Sequence, residues 1–108
     1  MSDICVLGNF VADNSFYADK LPVKGQTIFG NGYNIGPGGK GSNQAIAAAR
    51  LGSKVNFLGK VGDDDNGKMA LELYKKNKID SKTVFVSKDH PTGVAGIMVN
   101  KSDGTNAI

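Results

Sequence analysis

Three short segments rich in apolar residues predict β-strands of the core, and the first of them is a continuous apolar run. They occupy residues 4–8, 54–61 and 83–86. A continuous apolar run of this length is typical of a strand in a parallel sheet, where both faces are covered. The first run therefore predicts a central strand buried on both faces. Cys5, which lies within it, is expected to be a buried core thiol.

Two segments with helical character separate these strands. Residues 43–51 are rich in alanine and are followed by Gly52, which predicts a helix that ends there. Residues 67–77 place apolar side chains three and four positions apart, which predicts an amphipathic helix. Its apolar positions are Met69, Ala70, Leu73 and Tyr74. Strands joined through helices favour right-handed parallel crossovers, so the pattern predicts a Rossmann-like parallel α/β core.

The segment between the first strand and the first helix interrupts this alternation of strands and helices. Residues 15–21 and 27–34 alternate between aromatic, apolar and polar side chains. Residues 22–25 lie between them and carry the proline and glycine of a turn. We predict two short antiparallel strands here, which form an accessory sheet or flap outside the parallel core.

The end of the chain has the same character. Residues 94–100 are apolar, residues 101–104 have the composition of a hairpin turn, and the final residues begin a returning strand. Together with the flap, this predicts that segments 14–35 and 93–108 form antiparallel strands outside the parallel core. The strand that begins at the chain end, and the open edge of a three-stranded core, predict that this is the N-terminal fragment of a longer protein.

Composition and charge exclude several function classes. The chain has 108 residues, of which 40% are hydrophobic and 21% charged, as is ordinary for a globular domain. A net charge of +3 is too small and too dispersed to indicate nucleic-acid binding. No apolar run approaches the length of a spanning helix, and no signal peptide precedes the first strand. We predict a soluble cytoplasmic protein without nucleic-acid or membrane partners.

Candidate chemistry concentrates in residues 36–45, which read GPGGKGSNQA. The glycines permit positive φ and close backbone approach, and the helix that follows directs its N–H groups and positive dipole end at this turn. Lys40, a cation that looks buried, and Asn43 add donors at the helix start. Asp13 follows the first strand, at the edge where ligands collect in open parallel sheets. This arrangement suits a hydroxylated or anionic ligand.

Spacing partly separates the known glycine motifs. A Walker A loop does not fit, because a glycine follows Lys40 where that motif requires Ser or Thr. Gly36, Gly38 and Gly41 match the G-x-G-x-x-G fingerprint of dinucleotide sites, and Asp63 lies about 20 residues further on. That fingerprint should follow the first core strand directly, whereas here the predicted flap intervenes.

A polyol site is the third interpretation of the glycine turn. The turn amides, Lys40 and Asn43 would bind hydroxyl groups, and Asp13 would accept hydrogen bonds from the opposite side. The alternative to these three sites is that the glycine turn only connects two elements and binds no ligand.

Two further features carry less chemistry. The acidic run at residues 63–65 suggests a metal by its charge, but consecutive carboxylates point in different directions. A helix cap is therefore favoured over a metal site. His90 stands alone beside a proline and is interpreted as a loop residue.

The sequence GGKGSNQA at residues 38–45, followed by an alanine-rich helix, resembles the N-terminal signature of the ribokinase branch of the carbohydrate and nucleoside kinases. Residues 8–13, 22–27, 61–64 and 92–95 also fall where ribokinases have similar segments, so the likeness runs through the whole chain. The resemblance implies a ribokinase-like three-layer α/β/α fold with a small antiparallel β-lid, built from segments 14–35 and 93–108.

The resemblance also implies a reaction, the ATP-dependent phosphorylation of D-ribose at its 5-hydroxyl. Magnesium (Mg2+) would carry the nucleotide, and a monovalent cation, usually K+, would activate the enzyme. The implied sugar contacts are Asp13, Gly39, Lys40 and Asn43. Ala95 and Ile97 would line the inner face of the lid, which would also pair two subunits into a homodimer.

The chain departs from the family pattern in two ways. Val11 stands where many ribokinases have a sugar-contacting asparagine, so a deoxysugar or another pentose stays open. Nothing in the chain resembles the later glycine-rich motif that holds the catalytic base and the nucleotide pocket, which we expect beyond Ile108. Residues 1–108 would then supply the sugar-binding half and be inactive alone. The alternative is a non-catalytic sugar-binding or dimerisation module.

Overall fold

The computed structural model describes residues 1–108. In chain order the elements are β1 (Ile4–Leu7), β2 (Val11–Ala18), β3 (Gly32–Gly38), α1 (Lys40–Arg50), β4 (Val55–Gly62), α2 (Asp65–Lys76), β5 (Val84–Ser87), β6 (Gly93–Asn100) and β7 (Asn106–Ala107). The strands form two sheets, with the orders β1-β4-β5 and β3-β2-β6-β7. The chain divides into a first unit, Met1–Ala12 with Pro37–Gly93, and a second unit, Asp13–Gly36 with Val94–Ile108.

The first unit is the predicted β-α-β-α-β core. β1 pairs in parallel with β4, and β4 pairs in parallel with β5. Both helices contact β4, and they meet each other where the Tyr74 hydroxyl of α2 donates to Ser42 Oγ of α1 at 3.1 Å. They therefore pack on the same face of the sheet. The α/β class is confirmed, and residues 1–108 supply helices to one face of that sheet.

The hydrophobic core lies between these helices and the sheet. Its buried side chains include Ala45 and Ile46 of α1, Val55, Phe57 and Val61 of β4, and Ala70 and Tyr74 of α2. Met69 and Leu73 are partly buried against the same cluster, which confirms the predicted apolar face of α2. Burial of each large apolar side chain contributes about 1.5–3 kcal/mol.

The prediction that β1 is a central strand buried on both faces is wrong. β1 lies at the edge of the order β1-β4-β5, and Leu7 is 78% exposed. Val6 packs against the core, whereas Cys5 is exposed and its Sγ donates to Asn56 Oδ1 at 3.3 Å. A continuous apolar run indicates burial on both faces, but the two helices cover only one. Cys5 is therefore not a core thiol.

Both helices begin earlier than their apolar patterns predict. α1 starts at Lys40 and ends before Gly52, whose φ of 98° confirms the predicted stop. α2 starts at Asp65 because the Asp64 carboxylate accepts from the Gly67 N–H at 2.8 Å, which confirms the helix cap. The first turns of both helices consist of polar residues and glycine, which give no apolar signal, so apolar periodicity alone starts each helix too late. Neither helix has the length and apolar character that crossing a membrane requires.

The first two strands of the second unit are shifted from their predicted positions at 15–21 and 27–34. β2 and β3 instead flank a connection over residues 19–31, where the Asn31 N–H donates to the Tyr17 carbonyl at 2.8 Å. Apolar residues of this connection, among them Leu21 and Ile28, line a cavity rather than a strand. The alternation of apolar residues in this connection therefore reflects their place in the cavity lining, and these residues do not form a strand.

The terminal hairpin follows the prediction. β6 and β7 pair antiparallel, with Met98 opposite Ala107, and Gly104 in the turn has a φ of 75°. Segments 14–35 and 93–108 lie in the second unit except for Gly93, the last residue of the first. That these segments act as a lid stays a prediction.

Candidate functional site

Within the predicted glycine turn, only Gly39 has a positive φ. Gly36 and Gly38 lie within β3, whereas Gly39 has a φ of 98° and precedes α1. A Cβ at Gly39 would stand 2.3 Å from the carbonyl oxygen of Asn9, so no other residue fits. The remaining glycines of the run serve the strand and the packing of α1.

The N-terminus of α1 carries no competing side chain. Gly39 offers no side-chain cap, and the first turn of α1 contains no acidic residue. The backbone N–H groups of a first turn lack intrahelical partners, and the helix dipole adds partial positive charge there. This turn is therefore suited to donate hydrogen bonds to hydroxyl oxygens or to an anion.

Close packing fixes the first turn of α1 in place. A Cβ at Gly8 would lie 2.8 Å from the Gly41 Cα, and a Cβ at Gly41 would lie equally close to the Gly8 Cα. Two residues without side chains thus let α1 reach the β1–β2 connection. One position further on, buried Ser42 accepts the hydrogen bond from Tyr74.

An aromatic cluster supports that hydrogen bond. The ring of Tyr74 lies 4.8 Å from that of Phe57 and 6.5 Å from that of Phe10, measured between centroids. Burial raises the pKa of the Tyr74 hydroxyl, and the hydrogen bond with Ser42 acts in the opposite sense. The neutral hydroxyl is thus the form that joins the two helices.

The sequence-predicted site residues of the first unit lie in one turn. Gly39, Lys40 and Asn43 occupy the cap and first turn of α1, and Lys40 and Asn43 share a helix face because they are three positions apart. Both side chains are exposed, so the prediction that Lys40 is buried is wrong.

The other predicted site residues belong to the second unit. Asp13 lies within β2 rather than beyond a strand end, because β2 begins at Val11. Ala95 and Ile97 lie on β6, the neighbour of β2 in the sheet. All three are partly buried, and side-chain alternation puts Ala95 and Ile97 on the same face of β6.

The structure removes the dinucleotide interpretation. β1 leads into β2 rather than into a helix, and two of the fingerprint glycines, Gly36 and Gly38, lie in β3. The phosphate-binding turn of that motif needs a strand that passes directly into a helix. His90 lies in the loop between β5 and β6, as predicted.

The pairing of Ser42 with Tyr74 was missed by sequence reasoning. The two residues are 32 positions apart, and each looks ordinary in its own segment. Their contact depends on how α1 and α2 pack against each other. A tyrosine at a fully apolar helix position is the only sequence signal, because a buried hydroxyl needs a partner.

A cavity of about 540 Å³ lies within the second unit. Its lining is mainly apolar and includes Phe16, Pro22, Ile28 and Met98. None of the residues predicted to contact sugar lines it.

The chain is similar to known carbohydrate kinases along its whole length. A family model described as pfkB family carbohydrate kinase matches residues 1–108. The ribokinase of Bacillus subtilis (strain 168) is 40% identical over 108 residues, which cover 100% of this chain and 36% of that protein. The deoxyribokinase of Salmonella typhi is 43% identical over 111 residues, covering 98% of this chain and 34% of that protein.

A solved structure shows the same fold. Arabidopsis thaliana ribokinase, in complex with ribose and ATP, matches with a TM-score of 0.84 at 33% identity. The match covers 98% of this chain and 34% of that one. The chain thus spans about a third of the length of these similar proteins.

Proposed function

Because the chain belongs to the pfkB family of carbohydrate kinases, we propose that it is the sugar-binding part of a ribokinase. The proposed reaction transfers the γ-phosphoryl group of ATP to the 5-hydroxyl of D-ribose, giving ribose 5-phosphate and ADP. The observation that carries the proposal is the open first turn of α1, which presents Gly39, Lys40 and Asn43 together. Such a turn provides several hydrogen-bond donors to one polyhydroxylated ligand.

In this proposal each residue has a defined task. The backbone at Gly39 and the side chains of Lys40 and Asn43 hold sugar hydroxyls, and Asp13 accepts hydrogen bonds from others. Ala95 and Ile97 supply apolar contacts from the lid. These contacts orient the 5-hydroxyl, which is how positioning lowers the barrier of a phosphoryl transfer.

The remaining chemistry is assigned elsewhere. We assign no catalytic base and no nucleotide pocket to residues 1–108, so ATP and the phosphoryl transfer belong to further parts of the enzyme, without which this segment is inactive. No group of three or more His, Cys, Asp or Glu side chains is arranged to hold a metal ion. Like ATP, Mg2+ and K+ are proposed to bind mainly in those further parts of the enzyme.

The Asn43→Ala substitution tests the sugar site. In the enzyme that contains this chain, we expect the ribose KM to rise about ten-fold or more and the ATP KM to stay unchanged, because only hydroxyl contacts are lost. Gln44→Ala is the matched control, since Gln44 is the exposed neighbour of Asn43 on α1. Equal ribose KM values for wild type and Asn43→Ala would remove Asn43 from the site.

A 2-deoxyribose kinase is the second candidate function. Val11, at the start of β2, cannot donate or accept a hydrogen bond through its side chain. The deoxyribokinase of Salmonella typhi is also among the similar proteins. Comparison of kcat/KM for ribose and 2-deoxyribose separates the candidates, and a preference for 2-deoxyribose would favour this one.

A non-catalytic module is the third candidate. Binding of ribose without any phosphoryl transfer, in the complete protein with ATP and Mg2+ present, would favour it.

For the enzyme, we further propose a homodimer formed through the second unit. Its β-sheet leaves Phe16, Tyr33 and Val94 at least half exposed, which is an unusual apolar surface for a free sheet.

A further inference from the structure

Asp64 and Thr92 form a compact hydrogen-bonded cluster within the first unit. Asp64 Oδ1 accepts from the Gly67 N–H at 2.8 Å and from the Thr92 hydroxyl at 2.7 Å. Asp64 Oδ2 accepts from the Thr92 N–H at 2.8 Å. Thr92 Oγ1 in turn accepts from the Gly62 N–H at 2.8 Å. The carboxylate thus joins the start of α2 to residue 92, 28 positions later in the chain.

The backbone around this cluster leaves no space for side chains. A Cβ at Gly62 would lie 2.5 Å from the Thr92 nitrogen, and a Cβ at Gly67 would lie 2.0 Å from the Gly62 carbonyl oxygen. Thr92 is only 4% exposed. Hydrogen bonds from Thr92, and then from Gly67, hold the pKa of the Asp64 carboxyl below its ordinary value. Asp64 is therefore a fixed anion at neutral pH.

A helix cap alone does not explain this cluster. Capping of α2 requires only the bond from the Gly67 N–H. The two bonds with Thr92 reach the residue directly before β6, and from Val94 onward β6 belongs to the second unit. Asp65 provides the contrast, since its side chain is exposed and lies 3.9 Å from Lys68 Nζ.

We propose that Asp64 is a positioning residue that acts through Thr92 to fix the point where β6 leaves the first unit. Two bonds to one carboxylate restrain both the backbone and the side chain of Thr92, so the residue that precedes β6 is held within the first unit. β6 carries Ala95 and Ile97, the proposed lid contacts. The consequence for sugar binding rests on the proposed function, whereas the positioning of β6 does not.

Amide hydrogen exchange tests the proposal in the chain itself. Thr92→Val keeps the shape and the backbone N–H but removes the hydroxyl, and Thr92→Ser retains it. We expect the amides of Val94 and Ala95 to exchange about ten-fold faster in Thr92→Val than in Thr92→Ser. Exchange in α1 should be equal in the two variants, which separates local loosening from a general loss of stability.

A second pair of variants tests the carboxylate. Asp64→Asn should accelerate exchange at the same β6 amides, because an amide group cannot accept from both Thr92 donors and Gly67 in this geometry. Asp65→Asn, the control, should leave them unchanged. If exchange at Val94 and Ala95 were unaffected in Thr92→Val and Asp64→Asn, the proposal would be overturned and Asp64 would be a helix cap only.

Sugar affinity provides the functional arm. In the enzyme containing this chain, Thr92→Val should raise the ribose KM about ten-fold with an unchanged ATP KM, and Thr92→Ser should not. Faster β6 exchange with an unchanged ribose KM would refute the role of Asp64 in sugar binding. A wild-type enzyme that does not use ribose would refute the proposed function instead, and the exchange experiment would still decide the positioning of β6.

Discussion

At the scale of single residues, the pair Gly8 and Gly41 decides how close α1 comes to the sheet. Each occupies the space that a side chain on the other would need. The site turn at Gly39 therefore depends on a residue that touches no ligand in the proposed function. Contacts of this kind make a glycine indispensable inside a helix, where it is otherwise unfavourable.

Gly41→Ala tests this packing. Alanine normally stabilises a helix interior relative to glycine by about 0.5–1 kcal/mol. Here the added Cβ would stand 2.8 Å from the Gly8 Cα, and overpacking costs about 1–3 kcal/mol. We therefore expect a lower free energy of unfolding in urea. Gly96→Ala is the control, because its added Cβ meets no atom within 4 Å; a Gly41→Ala variant as stable as wild type would contradict the prediction.

The conformation of a residue was predictable where it depends only on its neighbours in sequence. The sequence predicts a glycine turn at the start of α1, and Gly39 has the positive φ that the turn requires. The exposure of Lys40 was not predictable, because a lysine between two glycines gives no information on where its side chain extends. Thr92 escaped notice for a similar reason, since its partner Asp64 lies far away in sequence.

At the scale of elements, the join between α1 and α2 rests on the Tyr74–Ser42 hydrogen bond. Both groups are fully buried, so each would be left without a partner if the other were removed. Because Ser42 lies between Lys40 and Asn43, the bond holds the helix turn that carries the proposed sugar contacts. α2 thus supports the site without contributing a side chain to it.

Tyr74→Phe tests this join through its pH dependence. Loss of the hydroxyl should lower the free energy of unfolding by about 1 kcal/mol at neutral pH. The folded pKa of Tyr74 is raised above the ordinary 10.0, so its contribution is complete below pH 10.0 and is lost as the pH rises towards the folded value. Wild type should therefore lose more stability above pH 10.0 than Tyr74→Phe does. Parallel alkaline losses in urea unfolding would contradict the prediction.

A helix or strand was predicted correctly where its sequence pattern has a single physical cause. The apolar face of α2 and the stop at Gly52 follow from helix geometry alone, and the structure confirms both. The prediction for β1 was wrong, because an apolar run does not show how many faces of the strand the rest of the chain covers. β3 was placed too early, because Ile28 is apolar for packing in the connection, while the strand runs through glycine and proline.

At the scale of the whole molecule, the second unit presents an exposed apolar face. The rings of Phe16 and Tyr33 contact each other at a tilt of 41°, with their centroids 5.2 Å apart, and the Tyr33 hydroxyl donates to Asn14 Oδ1 at 3.0 Å. Phe16 is 50% exposed and Tyr33 60% exposed. Ordered aromatic side chains on an open sheet are typical of an interface between proteins.

Phe16→Ser tests the proposed homodimer. Removal of an aromatic side chain from the centre of an interface should weaken dimerisation about ten-fold or more, which sedimentation velocity over a concentration series would measure. Phe85→Ser is the control, because Phe85 is 60% exposed on β5 in the other unit. A wild-type protein that stays monomeric throughout the series would disprove the dimer.

The second unit is assembled from two segments that the first unit separates. The Ser102 hydroxyl donates to the Asp19 carbonyl at 2.6 Å across 83 positions of sequence. Closing so long a loop is slow, and synthesis delivers β2 and β3 well before β6 and β7 exist. During that interval one edge of β2 has no neighbour, beside Phe16 and Tyr33. We therefore expect β2, the strand that carries Asp13, to be prone to aggregation along this edge until β6 has been synthesised.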